Sequence, residues 1–267
     1  MGIKKIYSAL AIPILSLGIS GGAQAISFDI LHLTDGSQSR ASSNLNHYVA
    51  NHTETTRTTM SNSVFNATSI ADLASSYDVI VAPWLVNASA NLDWATRLLP
   101  FMEAGGGVLW EDPNNLGDLA GSGITFGGTG GYINSGLTLV APFDENGAES
   151  WYHVHYGITA ITSDWDVFST DANSSIHGVY GEFGSNGGRM VLGVSDNLYH
   201  PDMTTAAAIG PYNLLINELA WIGTGNVSGD PTAPPPGPSS VPEPGTLFLL
   251  GLGLFGLAGR KKIGMHK

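Results

Sequence analysis

Between Asp78 and Trp110 the sequence reads as a strand, a helix and a second strand in immediate succession, and this constrains the fold more than any other stretch. Asp78-Val-Ile-Val-Ala82 is a continuous apolar run stopped by Pro83, the pattern of a strand buried on both faces. From Asn91 to Ala104, Leu92, Ala95, Leu98, Leu99 and Met102 fall on one side of an amphipathic helix, in which Pro100 marks a kink. Gly105-Gly106-Gly107 closes that helix, and Val108-Leu109-Trp110 opens the next buried strand. Two strands joined through a helix lie parallel, with a right-handed crossover, so the segment predicts a parallel sheet.

The flanking sequence extends this pattern. Phe28 to Leu33 is a short β-rich run broken at Asp35-Gly36, and Leu45 to Ala50 lies on a helix started by Ser42 or Ser43. Leu116 to Gly136 is glycine-rich and predicts a long loop without helix. Leu137 to Tyr180 holds short β-rich runs at Trp151 to Tyr156, Ile158 to Ile161 and Ile176 to Tyr180, an antiparallel insertion. Arg189 to Val194 is the final strand. A helix capped by Thr204 or Thr205 then runs to about Ile222, with Leu214, Leu215, Glu218, Leu219 and Trp221 at helical spacing. No internal repeat is visible.

Two stretches carry a resemblance. Tyr77-Asp-Val-Ile-Val with the helix ending Phe101-Met-Glu-Ala-Gly-Gly-Gly-Val-Leu-Trp110, and Gly188-Arg-Met-Val-Leu-Gly-Val-Ser-Asp196 with Asn213 to Ile222, resemble flavodoxin-like domains of the class I glutamine-amidotransferase-like superfamily. The resemblance implies an α/β, flavodoxin-like three-layer sandwich with a mainly parallel sheet and an inserted antiparallel β-rich portion. Enzymatic members of that superfamily use a cysteine nucleophile, whereas this chain has no cysteine, so glutaminase chemistry is not expected.

The ends read as address tags. Lys4 and Lys5, an apolar run from Ile6 to Leu17 and Ala23-Gln24-Ala25 form the three parts of a secretory signal peptide over residues 1–25, with cleavage expected after Ala25. At the other end, Val241-Pro242-Glu243-Pro244 precedes an apolar run from Thr246 to Ala258 and then Arg260-Lys261-Lys262. The apolar run enters a bilayer as a short transmembrane segment, about 20 Å of helix, and the basic cluster stays cytoplasmic. This tail, residues 241–267, resembles the PEP-CTERM sorting signal of Gram-negative bacteria that make extracellular polysaccharide. The resemblance implies an exosortase as partner, with Pro242, Glu243 and Pro244 as its recognition site, and transient anchoring in the inner membrane. Between the tags we expect one α/β globular domain over residues 26–223 and a stiff Pro/Gly-rich linker over 224–240.

Charge narrows the function further. The basic residues of the body are Arg40, Arg57, Arg97 and Arg189, every lysine lying in the tags, against 21 of the 22 Asp and Glu residues. Such a surface repels nucleic acid, which binds clustered Lys and Arg. The lack of cysteine excludes disulfides, thiolate metal sites and a Cys nucleophile.

In a parallel sheet, ligands bind at the carboxyl ends of the strands. The residues just past those ends, Asp35, Trp84, Glu111, Asp112, Ser195 and Asp196, form a candidate binding rim: acids to accept hydrogen bonds or ligate a hard cation, and Trp84 as a platform for a sugar. The same acids also serve as loop and helix caps. His153 and His155 share a strand face and, with His177 and His200, are metal-ligand candidates, although flanking aromatics equally fit a packed surface. Asp144 to Glu149 has the oxygen-rich look of a calcium loop without the full EF-hand pattern. Ser195 follows a strand end like a nucleophile elbow, yet Asn197 stands where an elbow has glycine.

The expectation is a non-catalytic exported protein of the cell surface or extracellular matrix, sorted by exosortase, associated with exopolysaccharide and needing no cofactor, with a divalent cation the one open addition. The alternative is an extracellular hydrolase of glycan or ester bonds that uses the rim carboxylates or Ser195 with His200.

Overall fold

The structure, a computed structural model, describes residues 28–34, 39–52, 54–84, 90–113, 116–127, 131–132, 137–150, 153–154 and 156–227. Both expected tags lie outside these residues. Five strands are parallel: β1 (Asp29–Thr34), β2 (Thr56–Ser61), β3 (Val79–Ala82), β4 (Gly107–Glu111) and β12 (Gly188–Gly193). They lie side by side in the order β2-β1-β3-β4-β12. Counted as parallel strands alone this is the order 2-1-3-4-5, that of flavodoxin-like sheets.

The layers follow from alternation along the strands. Leu31, Leu33, Ile80, Val108, Trp110 and Leu192 point to one face, where they pack against α2 (Asn62–Ala67), α3 (Ile70–Ser76) and α4 (Leu99–Glu103) through Phe65, Leu73, Phe101 and Met102. Ile30, Val79, Val81, Leu109 and Val191 point to the other, against α1 (Ser39–Asn51) and α5 (Ile209–Thr224). Each fully buried Leu, Val or Phe stabilises this sandwich by about 1.5–3 kcal/mol. The fold is therefore mixed α/β with a mainly parallel sheet, as expected.

The sheet continues beyond β12 through antiparallel strands: β11 (Ile176–Phe183), β10 (Asp166–Thr170) and β7 (Thr138–Leu139), with β9 (Gly157–Ile161) branching from β11 and pairing β5 (Ile124–Gly127). A separate ribbon joins β6 (Gly131–Tyr132) to β8 (His153–Val154). The expected antiparallel insertion is present. The expected loop from Leu116 to Gly136 is not: a 3₁₀ turn at Leu116–Leu119 and strand β5 lie within it, held by pairing to β9 and by Trp165 Nε1 donating to Ser122 O at 2.7 Å.

Three helix starts also differ from expectation. Helix α1 already runs from Ser39, so Ser42 and Ser43 lie inside it and do not start it. The helix before β4 begins at Asp93, whose carboxylate accepts from Thr96 N at 2.8 Å. Its first turn, Trp94–Leu98, is a π turn that passes directly into α4, a wider winding that accommodates the donor missing at Pro100. Helix α5 starts at Ile209 after a 3₁₀ turn at Ala206–Ala208, and neither Thr204 nor Thr205 caps it; the Thr204 hydroxyl bonds Asp202 at 2.6 Å. At its end Gly225, at φ 74°, takes the left-handed conformation that closes a helix, its N–H donating to Trp221 O. The helix runs to Thr224, one residue past the expected boundary of the domain.

Helix α5 is buried all round from Gly210 to Ile222. One side meets the sheet. On another, Asn217 Nδ2 donates to Phe143 O at 3.1 Å and Glu145 O at 3.0 Å, and Asn213 Nδ2 to Asn146 O at 2.8 Å. Phe143 precedes the acidic Asp144 to Glu149 turn and Glu145 and Asn146 lie within it, so the turn lies along α5 as a brace.

Candidate functional site

The carboxyl ends of β4 and β12 bring four of the expected rim residues together. Glu111 is the last residue of β4. Asp112 turns the chain away at φ 51°, a left-handed conformation that Asp tolerates better than most residues, and its N–H donates to Gly193 O at 2.7 Å. Ser195 and Asp196 follow β12 closely. All four are buried, at 2% exposure or less. Trp84, past β3, is half-buried. Asp35 and His155 lie outside the described residues.

Helix α5 adds a fifth group that the sequence shows only as part of a helical face. Glu218, one turn beyond Leu214, enters the space in front of Glu111 and is itself 1% exposed. Burial and then the neighbouring charge of Glu218 push the Glu111 carboxyl well above the usual carboxylate range, with Asp196 and Asp112 adding to the effect. Burial pushes the Glu218 carboxyl up to about 8, offset in part by its hydrogen bond to Glu111. Asp112 is raised to about 8 by burial, and Asp196 to about 8 by burial and then by Asp112. Burial thus favours the protonated form of each of these carboxyls. The sequence signal for Glu218 is a glutamate on the sheet-facing stripe of an otherwise uncharged helix.

Ser195 sits in a small polar network. Asn197 Nδ2 donates to Ser195 Oγ at 3.0 Å and to Ser150 Oγ at 3.1 Å, and the two serine hydroxyls are 3.3 Å apart. Among the described residues no histidine bonds the Ser195 hydroxyl. His200 instead places Nε2 3.4 Å from Asp196 Oδ2, while Asp196 Oδ1 accepts from Tyr199 N at 3.2 Å. The expected Ser195 with His200 pairing is thus not what the described contacts contain. The segment bearing Tyr199 and His200 is pinned by α1: Asn44 Nδ2 donates to Leu198 O and Pro201 O, each at 2.8 Å, and Arg40 donates to His200 O at 2.7 Å.

Trp84, Tyr199 and His200 form an aromatic group at this rim, with ring centroids 5.4 Å apart for Trp84 and Tyr199, 6.1 Å for Trp84 and His200, and 5.3 Å for Tyr199 and His200. Trp84, Tyr199 and His200 are all half-buried and so keep part of their surface open to solvent.

Of the metal-ligand candidates, His177 and His200 each meet a single carboxylate. His177 lies in β11 with Nε2 3.5 Å from Asp171, and His153 lies in β8. Among the described residues no three His, Asp or Glu side chains are grouped so as to hold a metal ion. Nor is any described helix long and apolar enough to cross a membrane; the expected span at 246–258 lies outside the described residues.

Similar solved structures include a ThuA-like protein from Bacteroides uniformis, 14% identical with a TM-score of 0.46, covering 79% of this chain and 97% of that one. An exo-β-1,4-mannosidase from an Opitutaceae bacterium is 12% identical with a TM-score of 0.45, covering 76% of this chain and 36% of that one. A GMP synthase-type protein from Thermoplasma acidophilum is 13% identical with a TM-score of 0.43, covering 70% of this chain and 92% of that one. At such values the fold assignment rests on the strand order itself. No curated protein matches the sequence. Residues 240–262 match the PEP-CTERM protein-sorting motif, which marks an exported, exosortase-processed protein of Gram-negative bacteria.

Proposed function

We propose that this chain is a non-catalytic protein of the cell surface or extracellular matrix, displayed after exosortase acts at Pro242-Glu243-Pro244 and associated with exopolysaccharide. In this reading residues 1–25 are removed on export, 26–223 form the displayed α/β domain, 224–240 are its stalk and 241–267 its sorting signal. The observation that carries the non-catalytic reading is the burial of Glu111, Asp112, Ser195 and Asp196 at 2% or less. An acid, base or nucleophile must touch its substrate, and these groups are covered. The Ser195 hydroxyl is also engaged by Ser150 and Asn197.

The polysaccharide reading rests on the half-buried group of Trp84, Tyr199 and His200. Half-open aromatic rings beside hydrogen-bonding groups offer an apolar face to a sugar ring. The body is strongly acidic, so the favoured polymer is neutral or cationic. Binding of the secreted protein to exopolysaccharide purified from its own cells tests this. Trp84→Ala is expected to lose most of the retention, and equal retention of that variant would count against the platform. Shortening of the polymer during incubation would instead support the hydrolase alternative.

A further inference from the structure

Glu111 and Glu218 face each other across the junction of β4 and α5. Alternation along β4 sends Leu109 and Glu111 to the α5 side, and the stripe of α5 that carries Leu214, Leu215 and Leu219 carries Glu218 toward the sheet. Among the described residues no side chain outside the pair donates a well-formed hydrogen bond to either oxygen of Glu111 or to Oε1 of Glu218. The backbone N–H of Asn197 favours the Glu111 carboxylate but does not outweigh burial and the neighbouring acids. Those neighbours are Asp112 in the turn after β4 and Asp196 in the segment after β12, with His200 reaching Asp196 at 3.4 Å. The four arginines of the body are engaged elsewhere. Arg40 bonds His200 O, Arg57 bonds His32, Arg97 bonds Phe65 O and Thr68 O, and Arg189 bonds Glu182.

Two neighbouring buried carboxylates that no described side chain neutralises repel in a medium that screens poorly. One proton removes the conflict, because a carboxyl O–H then donates to the neighbouring carboxylate in a charge-assisted bond. We propose that Glu111 and Glu218 share one such proton, and that this bond is a pH-operated latch between the end of the sheet and α5. When the proton leaves to solvent, two negative charges remain in contact and push α5 away from the rim. Asp196, and with it the segment carrying Tyr199 and His200, borders the same space and loosens with it. The raised values of Glu218 and Asp196, each about 8, put the release on the alkaline side of neutrality.

The test follows the denaturant midpoint of the secreted protein between about pH 6.5 and pH 9.5 in the presence of a chelator, for the wild type, Glu111→Gln and Glu218→Gln. The wild-type midpoint is expected to fall as the pH rises. Either glutamine retains a donor for the remaining carboxylate without a second charge, so each variant should show a markedly shallower fall and exceed the wild type at the alkaline end. An unchanged fall in both variants overturns the proposal. If neither variant folds, infrared spectra of the wild type decide: a protonated-carboxyl band at neutral pH that vanishes on alkaline titration supports the latch, and its absence at neutral pH overturns it. Recovery of the alkaline midpoint when calcium replaces the chelator would also overturn it, since a cation and not a proton would then hold the pair.

Discussion

Gly193 and Glu111 occupy adjoining strands, and a Cβ on Gly193 would stand 2.8 Å from Glu111 Oε2. The missing side chain makes room for the carboxyl at the end of β4. Gly193→Ala should therefore cost about 1–3 kcal/mol by overpacking, read as a lower denaturant midpoint. The same substitution in a Glu111→Ala background should cost much less, and equal costs in both backgrounds would contradict the contact.

The buried His32 weakens the fold at acid pH. Burial, and then the Arg57 guanidinium beside it, depress its imidazole to about 3, and Arg57 Nη1 meets Nδ1 at 3.0 Å. The folded state keeps this ring neutral where the unfolded chain takes up a proton, so its contribution is present above the unfolded value of 6.5 and is lost as the pH falls toward 3. His32→Asn, with an oxygen for Arg57, should show a shallower loss of stability than the wild type between those values in a denaturant titration.

Arg97 ties two helices together. It donates to Thr68 O at 2.8 Å and Phe65 O at 2.6 Å at the end of α2, with its guanidinium 4.6 Å over the Phe65 ring. Arg97→Ala leaves those carbonyls without their donor and should cost about 2 kcal/mol or more in chemical unfolding. Arg97→Lys should recover only part of this, because an ammonium cannot fork between two carbonyls.

Asn44 links α1 to the rim. Its amide bonds Leu198 O and Pro201 O, and its oxygen accepts from Met203 N at 3.0 Å, all in a fully buried position. Asn44→Leu should lower stability by about 1–3 kcal/mol and raise hydrogen exchange over residues 198–203 more than in α5.

The parallel half of the fold was legible because its strands are buried on both faces, so β3 and β4 appear as unbroken apolar runs. Strand β2 did not show, since it is an edge strand with the sequence Thr-Arg-Thr-Thr-Met-Ser and only exposed or half-buried positions. Its assignment comes from pairing to β1, which no local pattern encodes. Strand β5 reads as loop for the same reason: its glycine-rich surroundings look irregular until β9 lies beside it. The rim positions of Glu111, Asp112, Ser195 and Asp196 followed from strand ends alone. Their burial did not, because it depends on tertiary packing: α5 brings Glu218 to Glu111, Ser150 and Asn197 meet Ser195, and His200 meets Asp196.

The central claim is most directly tested by incubating the secreted protein with exopolysaccharide from its own cells and measuring, in one size-separation experiment, both retention of the protein and the length of the polymer. The account predicts retention that Trp84→Ala largely abolishes, with polymer length unchanged. Absence of retention, or a polymer shortened by the wild type and left intact by Asp196→Asn, would contradict it.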